Sequence, residues 1–303
     1  MTAPAHTRRL AILGLGLIGG SLAVGLRQRG LVGEVIGWGR RAASLERGVE
    51  LGVIDRYTLD LKEAVAAADI VVIATPTLIA EQVLAELKPL WRDDLIVTDV
   101  SSVKGNLERA ARQLFGTPPA SLVLAHPIAG SEKSGVEAAH AELFDSHRVI
   151  ITPLPETAPA AVEAVTALWR DVDAEVVEMS VERHDTVLAA TSHLPHALAY
   201  VLVDSLAGDP AQRDIFRFAA GGFRDFTRIA SSDPTMWHDI SLANRDALLL
   251  AIDQFSAGLK ALRESIDRRD GPAIMATFER AKEARDQFAV MLERQRAATT
   301  SQE

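Results

Sequence analysis

The chain is predicted to pair a doubly wound α/β domain, built on a parallel sheet, with a second domain made only of helices. Three observations predict this. Short apolar runs alternate with helical patterns through the first half. A glycine-rich turn follows the first of those runs. The strand pattern then stops at Ser180, beyond which only long helical patterns remain. Taken in order, Leu10–Leu13 reads as a strand that leads through glycines into a helix ending at Arg29 and closed by Gly30. Val35–Trp38, Ile70–Ala74, Leu95–Asp99, Leu122–Ala125 and Val149–Thr152 are further strands. Continuous apolar runs suit strands covered on both faces. Ile79–Leu90 and Asn106–Leu114 fit the crossover helices. Three prolines make 153–159 a loop, before a helix at Ala160–Arg170 and a strand at Ala174–Glu178. The helical half reads as Val181–Ala207, Trp237–Arg268 and Pro272–Gln295, with a frayed tail after Arg296. The domains are therefore expected to be 1–179 and 180–303.

Bulk properties narrow the function. The 303 residues are enough for two domains, and 48% of them are hydrophobic, so a large core is available. A net charge of -9 argues against a nucleic-acid partner. It leaves room for an anionic substrate, because a few local arginines outweigh distant charge. With no cysteines, disulfides and thiolate metal sites are excluded. No apolar signal region precedes the first strand, and no run reaches roughly 18 consecutive apolar residues. A cytoplasmic protein that does not enter a membrane is expected.

Gly14-Leu15-Gly16-Leu17-Ile18-Gly19 lies directly between a strand and a helix. The first glycine permits the tight turn, the second lets the backbone approach a pyrophosphate, and the third lets helix and strand pack closely. The helix start then offers unpaired N–H groups to the phosphates. This context predicts a Rossmann-type dinucleotide site. At the end of the second strand the chain reads Gly37-Trp38-Gly39-Arg40-Arg41, with no carboxylate for ribose hydroxyls. Arg40 and Arg41 would attract a 2′-phosphate, so NADP is favoured over NAD.

Ligands of such sheets bind outside the carboxyl ends of the strands. Thr75-Pro76, Asp99-Val100-Ser101-Ser102-Val103-Lys104 and His126-Pro127-Ile128-Ala129-Gly130 fall there, which makes Ser102 and His126 candidates to face the nicotinamide. Oxidising an alcohol requires a proton acceptor as hydride leaves, and a neutral histidine serves. A neighbouring serine would fix the hydroxyl. In the helical half, His184-Asp185 and His193-Leu194-Pro195-His196 match no zinc spacing, and no metal is expected. Arg224 and Arg228 would share a helix face and could grip carboxylates.

These segments together resemble the prephenate/arogenate (cyclohexadienyl) dehydrogenase family. The resemblance is carried by Gly14–Ser21, Asp99–Lys104, His126–Gly135, Ser192–His196, Gly221–Ala230 and Asp233–Trp237, and it runs from about Arg9 to about residue 290. It implies that His126 is the catalytic histidine and Ser102 a serine bonded to it or to the substrate hydroxyl. It implies that Arg228 binds a substrate carboxylate, with His184, Asp185, His196, Gly221 and Trp237 at further pocket positions. It implies oxidative decarboxylation of prephenate or arogenate and a homodimer joined through the helical domains, with Trp237 placed in the neighbour's pocket. Gly39 departs from the family pattern, where many relatives carry an acidic residue. No regulatory or mutase domain is expected after the helices, so feedback inhibition by tyrosine would act within the pocket.

Two other readings use the same motifs. A 3-hydroxyacid dehydrogenase or imino-acid reductase would need a lysine on the helical domain, and 180–259 contains none. A regulator that only senses NADP(H) would keep the glycine turn but has no need of Ser102, His126 and Arg228.

Overall fold

Successive residues of a strand point to opposite faces of its sheet. The computed structural model describes residues 8–130, 133–208 and 215–300, and its strands follow that rule closely. Among them are β1 (Arg9–Leu13), β2 (Glu34–Trp38), β3 (Arg56–Thr58), β4 (Ile70–Ile73), β5 (Ile96–Asp99), β6 (Leu122–Pro127), β7 (Arg148–Thr152) and β8 (Glu175–Glu178). They form one sheet in the order β3-β2-β1-β4-β5-β6-β7-β8. Leu10 and Ile12 of β1 enter one core, together with Val35, Val72 and Val123. Ala11 and Leu13 enter the other, with Ile36, Val71 and Val97.

Helices cover both faces. On the first face lie α1 (Leu17–Gln28), α2 (Ala42–Glu50) and α6 (Pro159–Arg170), contributing Leu22, Leu45 and Trp169. On the second lie α3 (Leu61–Ala67), α4 (Thr77–Leu87) and α5 (Gly105–Phe115), contributing Val65, Leu84 and Leu107. Each buried leucine-sized side chain is worth about 1.5–3 kcal/mol relative to exposure, so the two layers dominate the stability of this half. The segment 42–67 carries no pattern long enough to assign from sequence. It folds as α2, β3 and α3, where Asp60 caps α3 by accepting from the Lys62 N–H at 2.9 Å.

Two sheet features place the site. The chain runs from β1 outward through β2 and β3 and then crosses back to β4 on the other side of β1, so a crevice opens between the carboxyl ends of β1 and β4. The sheet is also not wholly parallel: β7 runs antiparallel to β6, and β8 parallel to β7. Among its described residues the segment after β6 has no crossover helix. Its 3-10 turn at Val136–Ala138 stays at the carboxyl end against α1, where His140 N–H donates to Ser21 Oγ at 3.1 Å. The chain can therefore only re-enter the sheet in reverse.

The helical half is more broken than its periodicity predicts. Val181–Ala207 becomes α7 (Val181–Leu188), a π-helical turn at Ala189–His193, and α8 (Leu194–Ala207). Pro195 lacks the N–H that an unbroken α-helix needs at that point. By length and composition this span is apolar enough to cross a membrane, although no single apolar run in it is long. It then carries inward the polar residues described below. A short α9 (Gly221–Thr227) and α10 (Pro234–Ala243) follow. Asn244 separates α10 from α11 (Arg245–Asp267), and α12 (Gly271–Thr300) continues past the expected fraying point at Arg296. The chain forms two compact units, Met1–Leu248 and Leu249–Glu303, a division that falls later than residue 179 because α7 packs against β7 and α5, and α10 against α4.

Candidate active site

Gly14 has φ +99, and a β-carbon there would lie 2.7 Å from the Ala74 carbonyl oxygen, so only glycine lets the chain turn between β1 and β4. At Gly19 a β-carbon would strike Ile12 at 2.7 Å, which is how closely α1 packs on β1. At Gly16 nothing lies within 4 Å, so backbone faces open space. No side chain caps α1 and no acidic residue sits in its first turn, leaving its N–H groups for an anion.

A cavity of about 300 Å³ opens here, walled by Gly14, Gly16, Trp38, Arg40, Arg41, Thr75 and Pro76, with Ile79 and Glu86 of α4 opposite. Thr75 Oγ1 is buried at this wall without a hydrogen-bond partner among the described residues. A glycine cradle, a free helix start and an orphaned hydroxyl fit a dinucleotide. Leu17 and Ile18 do not line the cavity. Their side chains pack on the core, so what they offer is backbone N–H.

The strand ends and the helical half meet at His126. Its Nδ1 lies 2.8 Å from His184 Nε2, and His184 Nδ1 lies 2.8 Å from Asp185 Oδ1. Asp185 also accepts the N–H groups of Lys104 at 2.9 Å and Gly105 at 2.8 Å. A β-carbon on Gly105 would sit 2.7 Å from Asp185 Oδ2, so glycine is needed for that approach. The carboxylate only accepts, so His184 donates through Nδ1 and must accept at Nε2. His126 then donates through Nδ1, and its Nε2 carries a lone pair.

Burial first, then the nearby His184, Lys104 and His193, push the His126 imidazole well below the usual histidine range. Burial also lowers His184, against the pull of Asp185. Burial alone would raise Asp185, but hydrogen bonds from His184 and the two backbone N–H groups hold it below the ordinary carboxylate value. His126 is thus a neutral base in a fixed tautomer.

Beside it, Asn244 Nδ2 reaches both the Asp185 carbonyl oxygen at 2.8 Å and His193 Nδ1 at 3.1 Å. Burial lowers His193 to about 4. Trp237 stacks on His196 with centroids 3.6 Å apart and faces His193 edge-on. Trp237 Nε1 is buried without a hydrogen-bond partner among the described residues. Burial lowers His196, and the charge of Arg228 adds to this, which puts Arg228 in electrostatic reach of the same wall.

A dinucleotide cradle and a buried neutral base at the end of a strand of the same sheet fit a dehydrogenase, and known proteins narrow it further. Residues 22–178 match the model for the prephenate dehydrogenase nucleotide-binding domain, and 180–280 the model for the prephenate dehydrogenase dimerization domain. The chain belongs to the prephenate dehydrogenase family. It is similar to the cyclohexadienyl dehydrogenase of Zymomonas mobilis, 37% identical over 92% of this chain and 95% of that one. The prephenate dehydrogenase of Bacillus subtilis is 38% identical over 91% of this chain and 75% of its own. The crystal structure of prephenate dehydrogenase from A. aeolicus in complex with hydroxyphenyl propionate and NAD+ superposes with a TM-score of 0.86, at 36% identity, over 93% of this chain and 98% of that one. This dehydrogenase is accordingly an NAD(P)-dependent oxidoreductase.

Several expected positions sit differently in the dehydrogenase. His184 and Asp185 are both buried. His184 is fully buried behind His126, bonded to His126 on one side and to Asp185 on the other. Trp237 stacks on His196 of its own chain. Ser102 is half-buried on the β5–α5 turn and makes no hydrogen bond to His126 among the described residues. Arg228 and Gly221 lie exposed, at the end and the start of α9. Ser131 and Glu132, part of the His126–Gly135 motif, lie outside the described residues. Sequence reasoning missed Asn244 and Gly105. Asn244 left one signal, a residue that competes with helix hydrogen bonding in the middle of a helical pattern.

Proposed function

We propose that this chain oxidises the ring carbinol of prephenate, arogenate or both, with loss of the ring carboxylate as CO2. The observation that carries this is the Asp185–His184–His126 chain, which leaves His126 Nε2 unprotonated at a strand end beside the dinucleotide crevice. The names of the relatives, cyclohexadienyl and prephenate dehydrogenase, support the same reaction.

When bound, NAD(P) supplies the hydride acceptor. His126 takes the hydroxyl proton as the carbinol C–H pair departs. The ring–carboxylate bond then breaks, its electrons complete the aromatic ring, and His126 returns the proton to the phenol oxygen. Ser102 steadies the hydroxyl. Arg228 and His196 hold the carboxylate side, with Gly221 leaving room and Trp237 closing the wall. Positioning of this kind accounts for most of the acceleration expected, because aromatisation drives the rest.

The helical residues 180–303 serve as substrate and dimerisation domain, and 1–179 as the dinucleotide domain. Val201, Leu242 and Leu259 expose over half their surface, which supports a homodimer that covers them. We place the enzyme in the cytoplasm.

NADP is the cofactor we favour, because Arg40 and Arg41 are exposed at the cavity and no carboxylate ends β2. At Gly39 a β-carbon would meet Leu45 at 3.7 Å, an ordinary contact, so a side chain fits. Gly39→Asp is therefore expected to fold normally and to move the NADP-to-NAD ratio of kcat/KM toward NAD by about tenfold or more, equivalent to about 1.4 kcal/mol. An unchanged ratio would remove Gly39 from cofactor choice.

The first experiment crosses prephenate and arogenate with NAD and NADP and follows nicotinamide reduction. Reduction in any arm, faster with NADP, is expected. Silence in every arm, with cofactor binding intact by calorimetry, would overturn the assignment.

A further inference from the structure

Lys104 and Asp99 are both fully buried and paired with each other. Lysine is almost never buried unless it is held by partners, and a buried ion pair is a poor device for stability alone. What these two side chains hold is Ala125, the residue directly before His126. Backbone pairing between β5 and β6 stops at Thr98 and Val123. Beyond that point the Ala125 N–H donates to Asp99 Oδ1 at 3.0 Å, and the Ala125 carbonyl accepts from Lys104 Nζ at 2.6 Å. The ion pair thus replaces the missing strand partner. The backbone N–H of the same lysine donates to Asp185 Oδ1 at 2.9 Å.

We propose that Lys104 is a positioning residue for the reaction: it holds both ends of the His126–His184–Asp185 chain, the base through the Ala125 carbonyl and the acid through its own N–H. This rests on His126 acting as the base. A methionine would fill the same volume but could not bond Ala125, and a displacement of the base by a fraction of an ångström is felt directly in turnover. Charge adds a second effect. The groups facing His126 are His184 and Asp185 of α7, His193 of the π-helical turn, and Lys104 with Asp99 from the end of β5 and the turn after it. Of these, Lys104, His184 and His193 disfavour its protonation.

Removing Lys104 alone would strand the Asp99 carboxylate, so the variants neutralise both. Asp99→Asn with Lys104→Met removes the charge and the donor to Ala125. Asp99→Asn with Lys104→Gln removes the charge but keeps an amide donor. The Met variant is expected to lose about 10- to 100-fold in kcat with little change in KM and with unchanged cofactor affinity. The Gln variant is expected to recover part of that loss. In both, the acidic limb of the kcat/KM profile should move to higher pH, a change that a merely structural role would not produce. Equal turnover in the two variants, turnover near wild type, or an unmoved limb would overturn the proposal. If the Met variant fails to fold, the Gln variant's pH limb still decides. A wild-type enzyme silent on every substrate would overturn the underlying function as well, whereas an active enzyme with unaffected variants would overturn this inference alone.

Discussion

His126→Asn should turn over substrate about 10²–10⁴ times more slowly than the wild-type chain, the range for losing a positioned general base. Its cofactor affinity should not change, because the glycine cradle and Thr75 stand apart from the imidazole. The wild-type pH profile provides a second reading. Activity needs neutral His126, whose proton affinity lies well below the ordinary value of 6.5. As pH falls, kcat/KM should therefore stay flat through 6.5 and decline only in more acidic solution, and the residual rate of the variant should lack that limb. A limb centred at 6.5 or above would mean that the imidazole is solvated during turnover. Turnover in the variant equal to wild type would remove His126 from the chemistry altogether.

Asp185→Asn is expected to be nearly as damaging, although Asp185 touches no substrate in the proposed mechanism. The carboxylate accepts three hydrogen bonds, from His184 Nδ1 and from the Lys104 and Gly105 N–H groups. An amide of the same size can accept fewer and must turn an N–H₂ group toward one of those donors. His184 then loses the partner that dictates its tautomer, and His126 loses the acceptor for its Nδ1 proton. A fall in kcat of about 10²- to 10⁴-fold is expected, its upper end the loss when a base is left in the wrong tautomer. Unfolding should come at lower temperature as well, since a buried donor is left unmatched at a cost of about 1–3 kcal/mol. Steady-state kinetics beside thermal melts would separate the two effects. A variant that melts early yet keeps wild-type kcat would show that the carboxylate supports the fold and not the base.

Legibility from sequence followed the range of the interactions. The glycine turn was readable because each glycine answers to a neighbour a few residues away or to the adjacent strand. His126 was readable because a polar residue ending an apolar strand falls where such sheets bind ligands. The partnership of His126 with His184 was not, since 58 positions separate them and nothing in either segment names the other. The sequence therefore places His184 and Asp185 near the site without showing that His184 stands between His126 and Asp185. Lys104 looked like one more polar residue in a motif, because burial is set by what packs over it. The reversal of β7 was hidden because an apolar strand reads the same in either direction. The elements between 42 and 67 were hidden because β3 is three residues long and α3 seven, too short to show a period.

The π-helical turn at Ala189–His193 also sets the rotational phase of everything after it. A regular α-helix advances about 100° per residue, so His196, twelve positions beyond His184, would point about 120° away from it. A π turn absorbs one extra residue, and the offset shrinks to about 20°. His184 and His196 thus come to one side of a helix on which their spacing would otherwise have separated them. The surplus residue acts as a washer on a threaded rod. Deleting a single residue between Ala189 and Ser192 would therefore leave a straighter helix with His196 still on that side, whereas inserting one more regular residue there would swing His196 and Tyr200 about 100° around.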